Sequence, residues 1–228
     1  MYIISDLHGS KGRHIELCKQ AEKSNTVTLQ IGDLGYDYDY LKSIDYTKHK
    51  FFGGNHDNYN LINKGIQHHL GDYGISDHGG YEFFWVRGEF SIDYRMREQK
   101  YYAGLWPMTF FKDDEEIKHS EHPNVLREYA SYINTNKKLG HKSVVISHGC
   151  PRSIARRIGS LKVLEHFGFD PDTFSTFTQD LLESMLERYP PDLWIFGHFH
   201  QNRDFMYEST RFVCIKDNEY LNIDLGDL

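Results

Sequence analysis

The chain has 228 residues, 39% hydrophobic, 26% charged and 15% aromatic, a composition that folds and excludes intrinsic disorder. Its formal net charge of -7 excludes a broad basic surface for nonspecific nucleic-acid binding. No stretch approaches the run of about 18 apolar residues that a membrane helix needs, and Cys18, Cys150 and Cys214 are too far apart for a sulfur-ligated zinc site, so they read as buried free thiols.

In chain order, Met1 leads directly into "YIIS", an apolar strand with no basic and then apolar leader before it, so the expected location is cytoplasmic. Ser10 is placed to cap a helix over "KGRHIELCKQAEK", with Ile15, Leu17, Cys18 and Ala21 on one face. Strands follow at "TVTLQIG" (26–32) and "HKFFGG" (49–54), and "GGYEFFWVRGEFSID" reads as hairpin-like strands. The acidic run "KDDEE" (112–116) reads as a solvated loop or helix start. A helix is expected over about Asn124–Lys138, a strand at "SVVIS" (143–147), a helix over about Ser175–Arg188 and a strand at "LWIFG" (193–197). The C-terminal "TRFVCIKDNEYLNIDL" reads as a hairpin turning at "KDNEY". Strands alternating with helices and mixed with hairpins predict an α/β chain with mixed sheets, and the absence of repeats or a long linker predicts one domain over 1–228.

The chemistry gathers where the strands end. "YIIS" is followed by Asp6-Leu7-His8-Gly9, "VTLQI" by Gly32-Asp33, "FFG" by Gly54-Asn55-His56-Asp57, "VVIS" by His148-Gly149, and "LWIFG" by His198-Phe199-His200. Residues two apart in an extended segment point the same way, so Asp6 with His8, and His198 with His200, are expected to converge. Open α/β sheets bind ligands beyond the carboxyl ends of their strands, which would bring all five segments into one cleft. Asp6, His8, Asp33, Asn55, His148, His198 and His200 form a nitrogen and oxygen set suited to manganese, iron, nickel, cobalt or zinc. Seven groups are too many for one tetrahedral ion and suit two divalent ions sharing a carboxylate, an arrangement used in phosphoryl chemistry.

In this order, Asp6-x-His8, Gly32-Asp33, Gly54-Asn55-His56-Asp57, His148 and Gly197-His198-Phe199-His200 resemble the motif set of the calcineurin-like metallophosphoesterase superfamily. The resemblance implies two packed mixed β-sheets flanked by helices, an αββα sandwich. It implies that Asp6, His8 and His200 hold one ion, that Asn55, His148 and His198 hold the other, and that Asp33 bridges them with a hydroxide as nucleophile. The same resemblance makes His56 the proton donor to the leaving group. An imidazole near its ordinary pKa of about 6.5 suits that task, and Asp37 or Asp57 could orient it or be a plain loop carboxylate. The segments "GDLGYDYD" and "GNHD" depart from the Ser/Thr protein phosphatase branch. The GHxH ending leans toward phosphodiesters, so the expected activity is a dinuclear phosphodiesterase acting on a nucleotide or small nucleic acid. Manganese leads the metals, and no membrane or obligate protein partner is expected. A phosphomonoesterase and a non-catalytic binding module with the same fold are the alternatives.

Four arginines are candidate substrate contacts because a guanidinium can grip phosphate oxygens in pairs. Arg95 and Arg97 lie in a G-x-x-S-x-D-x-x-x-R segment, Arg97 being its last residue, that resembles one in some bacterial and phage-borne members of the superfamily, and Arg152 and Arg156 follow His148. A solvated loop and a charged helix face are the plainer readings of these two segments. Tyr36, Tyr38, Tyr40 and Tyr59 flank the motifs, where a base could stack, although core packing explains most aromatics. The histidines outside the motifs, His14 among them, read as surface or packing residues.

Overall fold

The computed structural model describes residues 1–105, 116–159 and 161–224. The chain forms β1 (Tyr2–Ile4), α1 (Lys11–Lys23), β2 (Thr28–Ile31), β3 (His49–Phe52) and α2 (Tyr59–Ile62). Next come β4 (Tyr73–His78), β5 (Tyr81–Val86), α3 (Tyr94–Tyr102), α4 (His122–Leu139), β6 (Val144–Ser147), α5 (Arg152–Ile158) and α6 (Leu161–His166). The last elements are α7 (Phe177–Arg188), β7 (Leu193–Phe196), β8 (Arg203–Tyr207), β9 (Thr210–Cys214) and β10 (Tyr220–Asn222).

A four-stranded sheet has the order β10-β1-β2-β3 and a six-stranded sheet the order β4-β5-β6-β7-β9-β8. In the first, β1, β2 and β3 are parallel and β10 runs against β1. In the second, β5, β6, β7 and β9 are parallel, and the edge strands β4 and β8 are antiparallel to their neighbours. Both sheets are therefore mixed, and the fold is α/β as expected.

The period of two along each central strand divides the apolar residues between two layers. Phe83, Trp85, Val144, Ile146, Leu193 and Ile195 face Ile3, Leu29, Ile31 and Phe52 and form the core between the sheets. Their neighbours Phe84, Val86, Val145, Trp194 and Phe196 face outward under Tyr129 and Tyr132 of α4 and Leu181, Leu182 and Met185 of α7. A third core joins Ile4 and Phe51 to Leu17 of α1 and to Tyr59 and Ile62 of α2. Burying each large apolar side chain contributes roughly 1.5–3 kcal/mol, which explains why the strands read as continuous apolar runs. No helix among the described residues is long and apolar enough to cross a membrane.

Several local expectations are corrected. Ser10 makes no side-chain cap, and α1 buries His14, Leu17, Cys18 and Ala21 rather than Ile15. Within "GGYEFFWVRGEFSID" only Tyr81–Val86 is a strand, and its hairpin partner β4 lies upstream across Gly79-Gly80, both at positive φ. The C-terminal segment is not a hairpin, because β9 and β10 belong to different sheets. The turn at "KDNEY", with Asn218 at φ 59°, carries the chain from one sheet to the other, and β9 pairs with β8 instead. In "KDDEE", Lys112–Glu115 lie outside the described residues, while Glu116 accepts the Thr178 N–H at the start of α7 (3.1 Å). That helix starts at Phe177 and is capped by Thr176, which accepts the Gln179 N–H at 3.0 Å.

Candidate metal centre

The side chains singled out at the strand ends lie in tight loops rather than extended segments. Asp6, His8, Asp33, His198 and His200 have φ of 49°, 46°, 54°, 67° and 53°, in the left-handed region. Their convergence was expected from extended backbone, but it comes from turns that cost roughly 1–3 kcal/mol for each non-glycine residue held there. Gly197 lets two of these turns pack together: a Cβ there would overlap Ser5 Oγ and lie 2.6 Å from Asp6 Oδ2.

Asp6, His8 and His200 bring one oxygen and two nitrogens within metal-holding distance of one another, and Asp6, Asp33 and His148 form a second such group. His8 Nε2 and His200 Nε2 are 3.1 Å apart, and His200 Nε2 is 3.5 Å from Asp6 Oδ1. Asn55 Oδ1 joins the second group at 2.8 Å from His148 Nε2 and 3.0 Å from His198 Nδ1. Asp6 belongs to both groups, and Asp33, in the second, has Oδ1 3.4 Å from His148 Nε2 and Oδ2 3.9 Å from His8 Nδ1 of the first.

The hydrogen bonds around the cluster aim its lone pairs inward. His148 Nδ1 faces the Ile31 carbonyl at 2.9 Å, and a carbonyl can only accept, so the proton sits on Nδ1 and a neutral ring turns the Nε2 lone pair toward Asn55 and Asp33. Asn55 Nδ2 donates to Ser91 Oγ at 2.6 Å, which turns Asn55 Oδ1 to the same point. Asp6 Oδ2 accepts the His198 N–H (2.9 Å) and the Ser5 hydroxyl, and Asp33 Oδ1 accepts the His56 N–H (2.7 Å). Asp6 Oδ1 and Asp33 Oδ2 are buried and have no hydrogen-bond partner among the described residues. Buried oxygens facing imidazole lone pairs are costly without a cation, so the donor set fits two divalent ions.

Two crowded carboxylates and several imidazoles perturb one another. Burial and the nearby charges of Asp6 and Asp57 raise Asp33 well above the ordinary carboxylate range. Burial also opposes ionisation of Asp6, but the approach of the His200 imidazole (3.5 Å), the neighbouring imidazole of His148 and the Ser5 hydroxyl outweigh it and hold Asp6 low. His56 does not keep an ordinary pKa: burial pushes it down to about 2, with the charge of Arg97 and neighbouring imidazoles adding to the effect. Its ring packs edge-on against His8 at 5.3 Å.

Neither aspartate proposed to orient His56 does so. Asp57 accepts the Gly35 N–H (2.8 Å), the Tyr38 hydroxyl (2.9 Å) and the Gly54 N–H (2.7 Å), and so joins the loops that carry Asp33 and Asn55. Asp37 pairs with Lys11 and accepts the Asp39 N–H. Tyr38 and Tyr59 are buried structural residues, Tyr59 donating to the Gly54 carbonyl at 2.8 Å.

The G-x-x-S-x-D segment is not a solvated loop. Ser91 and Arg97 are buried, Ser91 positions Asn55, and Arg97 Nε donates to Asp93 Oδ1 at 3.1 Å. Ser91 and Ser5 are the contacts that reading the motifs missed; the quoted serine of that segment was the available signal for the first. The arginines separate into two kinds. Arg97 lies close enough for its charge to act on His56 and Asp33, and Arg156 lines the cavity next to the cluster while donating to the Asp172 carbonyl at 2.9 Å. Arg152 is paired with Asp180 at 2.7 Å, and Arg95 is exposed against Tyr94.

The family model for calcineurin-like phosphoesterases matches residues 1–202. No curated protein matches the sequence. Among solved structures, the chain is similar in fold to phosphopantetheinyl hydrolase from Mycobacterium tuberculosis, at 14% identity over 95% of this chain and 89% of that one (TM-score 0.43). It is likewise similar to a conserved Streptococcus pneumoniae protein described as a predicted phosphoesterase, at 10% identity over 95% and 71% of the two chains (TM-score 0.41). A putative 5'-nucleotidase from Staphylococcus aureus matches at 14% identity over 95% of this chain and 48% of that one (TM-score 0.43).

Proposed function

The chain belongs to the calcineurin-like phosphoesterase family, whose members are metal-dependent hydrolases, and from that premise we propose that it is a dinuclear phosphodiesterase acting on a small phosphoester such as a nucleotide. The observation that carries this reading is the pair of buried, unpartnered oxygens Asp6 Oδ1 and Asp33 Oδ2 facing the imidazole nitrogens. Asp6, His8 and His200 would hold one divalent ion, Asn55, His148 and His198 the other, and Asp33 both, with manganese as the first candidate metal. When bound, two such ions neutralise phosphate charge and make water nucleophilic near neutral pH.

The protein's own residues do the rest. His56 lines the cavity beside Asp33 and is assigned the proton for the leaving oxygen. Burial leaves this imidazole neutral, and a phosphate anion beside it acts in the opposite sense, favouring the protonated ring. Arg97, whose charge acts on His56 and Asp33, and Arg156, which lines the cavity, are the two candidate arginines assigned to steady phosphate oxygens. A module that had lost its chemistry would not be expected to keep all seven ligand positions and His56.

His56→Ala should retain both metals and lose turnover, whereas Asp33→Ala should lose metal and activity together. Elemental analysis, with bis-p-nitrophenyl phosphate compared against p-nitrophenyl phosphate, separates the roles and decides between diester and monoester. Equal metal content in the two variants contradicts the assignment.

A further inference from the structure

Next to the metal centre lies a cavity of about 330 Å³ whose floor is made by Asp33, Asn55, His56, His198 and His200. Its walls are mostly apolar, with Phe90 and Ile92 from the loop after β5, Val163 and Leu164 from α6, Phe174 from the loop before α7 and Phe199 from between the two histidines, and with Asp93, Gln179 and Gln201 as polar members. Phe90 packs against Phe174 (6.1 Å between ring centroids) and Phe169 (5.9 Å), and Phe169 against Phe174 (4.7 Å). These three rings belong to none of the three hydrophobic cores among the described residues. Apart from an edge-on contact of Phe90 with Tyr94 of α3 (5.4 Å), the three rings pack on one another rather than into the cores between sheets and helices.

We propose that this aromatic wall is the specificity pocket for the organic part of the substrate, a single flat ring joined to the phosphate, and that the site takes a small molecule rather than a polymer strand. The proposal rests on the phosphoester reading of the metal centre and adds the class of group that the ester carries. A ring can lie against the phenyl faces of this wall while the phosphate it carries stays within reach of Arg156, which lines the same cavity. The volume falls at the small end of ligand pockets, and the formal charge of -7 disfavours a long nucleic-acid strand.

The test is calorimetric binding of two non-hydrolysable phosphonates, 3-phenylpropylphosphonate and propylphosphonate, to the manganese-loaded protein. They differ only in the ring. Stacking of this kind corresponds to about tenfold tighter binding of the phenyl compound. Phe174→Leu and Phe90→Leu keep apolar volume but remove a ring face, and each should reduce that preference to about threefold or less. Met206→Ala, on the exposed edge strand β8, should leave the preference in place. Equal affinities in the wild-type protein, including no detectable binding of either compound, overturn the proposal. So does a preference that survives in both phenylalanine variants, once circular dichroism shows that they are folded.

Hydrolysis of the matched phosphate esters is measured separately. Ring-dependent binding without turnover of any phosphoester would overturn the catalytic reading and leave the pocket standing. Turnover without ring-dependent binding would do the reverse.

Discussion

Replacing Asp57 with Asn distinguishes a structural from a catalytic role for this carboxylate. Asp57 is 4% exposed and accepts three hydrogen bonds, from Gly35 N–H and Tyr38 hydroxyl on Oδ1 and from Gly54 N–H on Oδ2. Asparagine keeps one accepting oxygen, but its amide NH₂ then faces the Gly54 N–H, donor against donor. A buried N–H left unpaired costs about 1–3 kcal/mol, and turning two charge-assisted bonds into neutral ones removes about 1 kcal/mol more. The expected loss is about 3 kcal/mol, which for a chain of this size lowers Tm by roughly 6–12 °C. Thermal melts by far-UV circular dichroism read the loss directly. Metal content should fall as well, because the same carboxylate joins the loops bearing Asp33 and Asn55. An Asp57→Asn protein that melts within about 2 °C of wild type, less than 1 kcal/mol at this size, yet has lost turnover would refute the reasoning and return Asp57 to a role on His56.

Other substitutions probe the same architecture. Gly197→Ala drives a methyl into Ser5 Oγ and against Asp6 Oδ2; overpacking of this kind costs about 1–3 kcal/mol, and metal content measured by elemental analysis should drop with Tm. Ser147→Ala strips the buried Trp194 Nε1–H of its acceptor (2.8 Å) and the Gly149 carbonyl of its donor (2.6 Å), for a loss of about 2–3 kcal/mol in a denaturant titration. His14 is 3% exposed, and burial followed by the charges of His49 and His68 pushes its pKa down to about 3. The unfolded chain therefore binds a proton near pH 6.5 that the folded one refuses, so stability falls as pH drops below 6.5. By pH 5 this one group accounts for up to about 2 kcal/mol. His14→Phe should flatten the fall in Tm between pH 7 and pH 5, and an unchanged slope would assign the acid sensitivity to other groups.

The central strands were legible because burial on both faces writes continuous apolar runs, as in "VVIS" and "LWIF", and the ligand types were legible because each follows its strand within a few residues. Where local signals competed, the outcome depended on partners distant in the chain. Tyr81–Val86 looked like the start of a hairpin running forward, but the edge it completes is filled by β4 from upstream. The turn after β9 looked like a hairpin turn because turn residues specify a change of direction without specifying which sheet receives the next strand. Asp57 looked like a partner for its neighbour His56, whereas its acceptors are filled by donors from Gly35, Tyr38 and Gly54.

The sequence by itself determined the α/β layering and the family and pointed to the seven side chains proposed to hold metal, because hydrophobic period and ligand chemistry are properties of short segments. Only the tertiary structure decided that left-handed loops, not extended strands, aim Asp6, His8, His198 and His200, and that Ser91 turns Asn55. It also decided that the phenylalanines of three separate segments close one pocket beside the cluster. Those features depend on atoms tens of residues apart meeting within a few ångströms, and no local pattern in the chain records which of the possible meetings packs best.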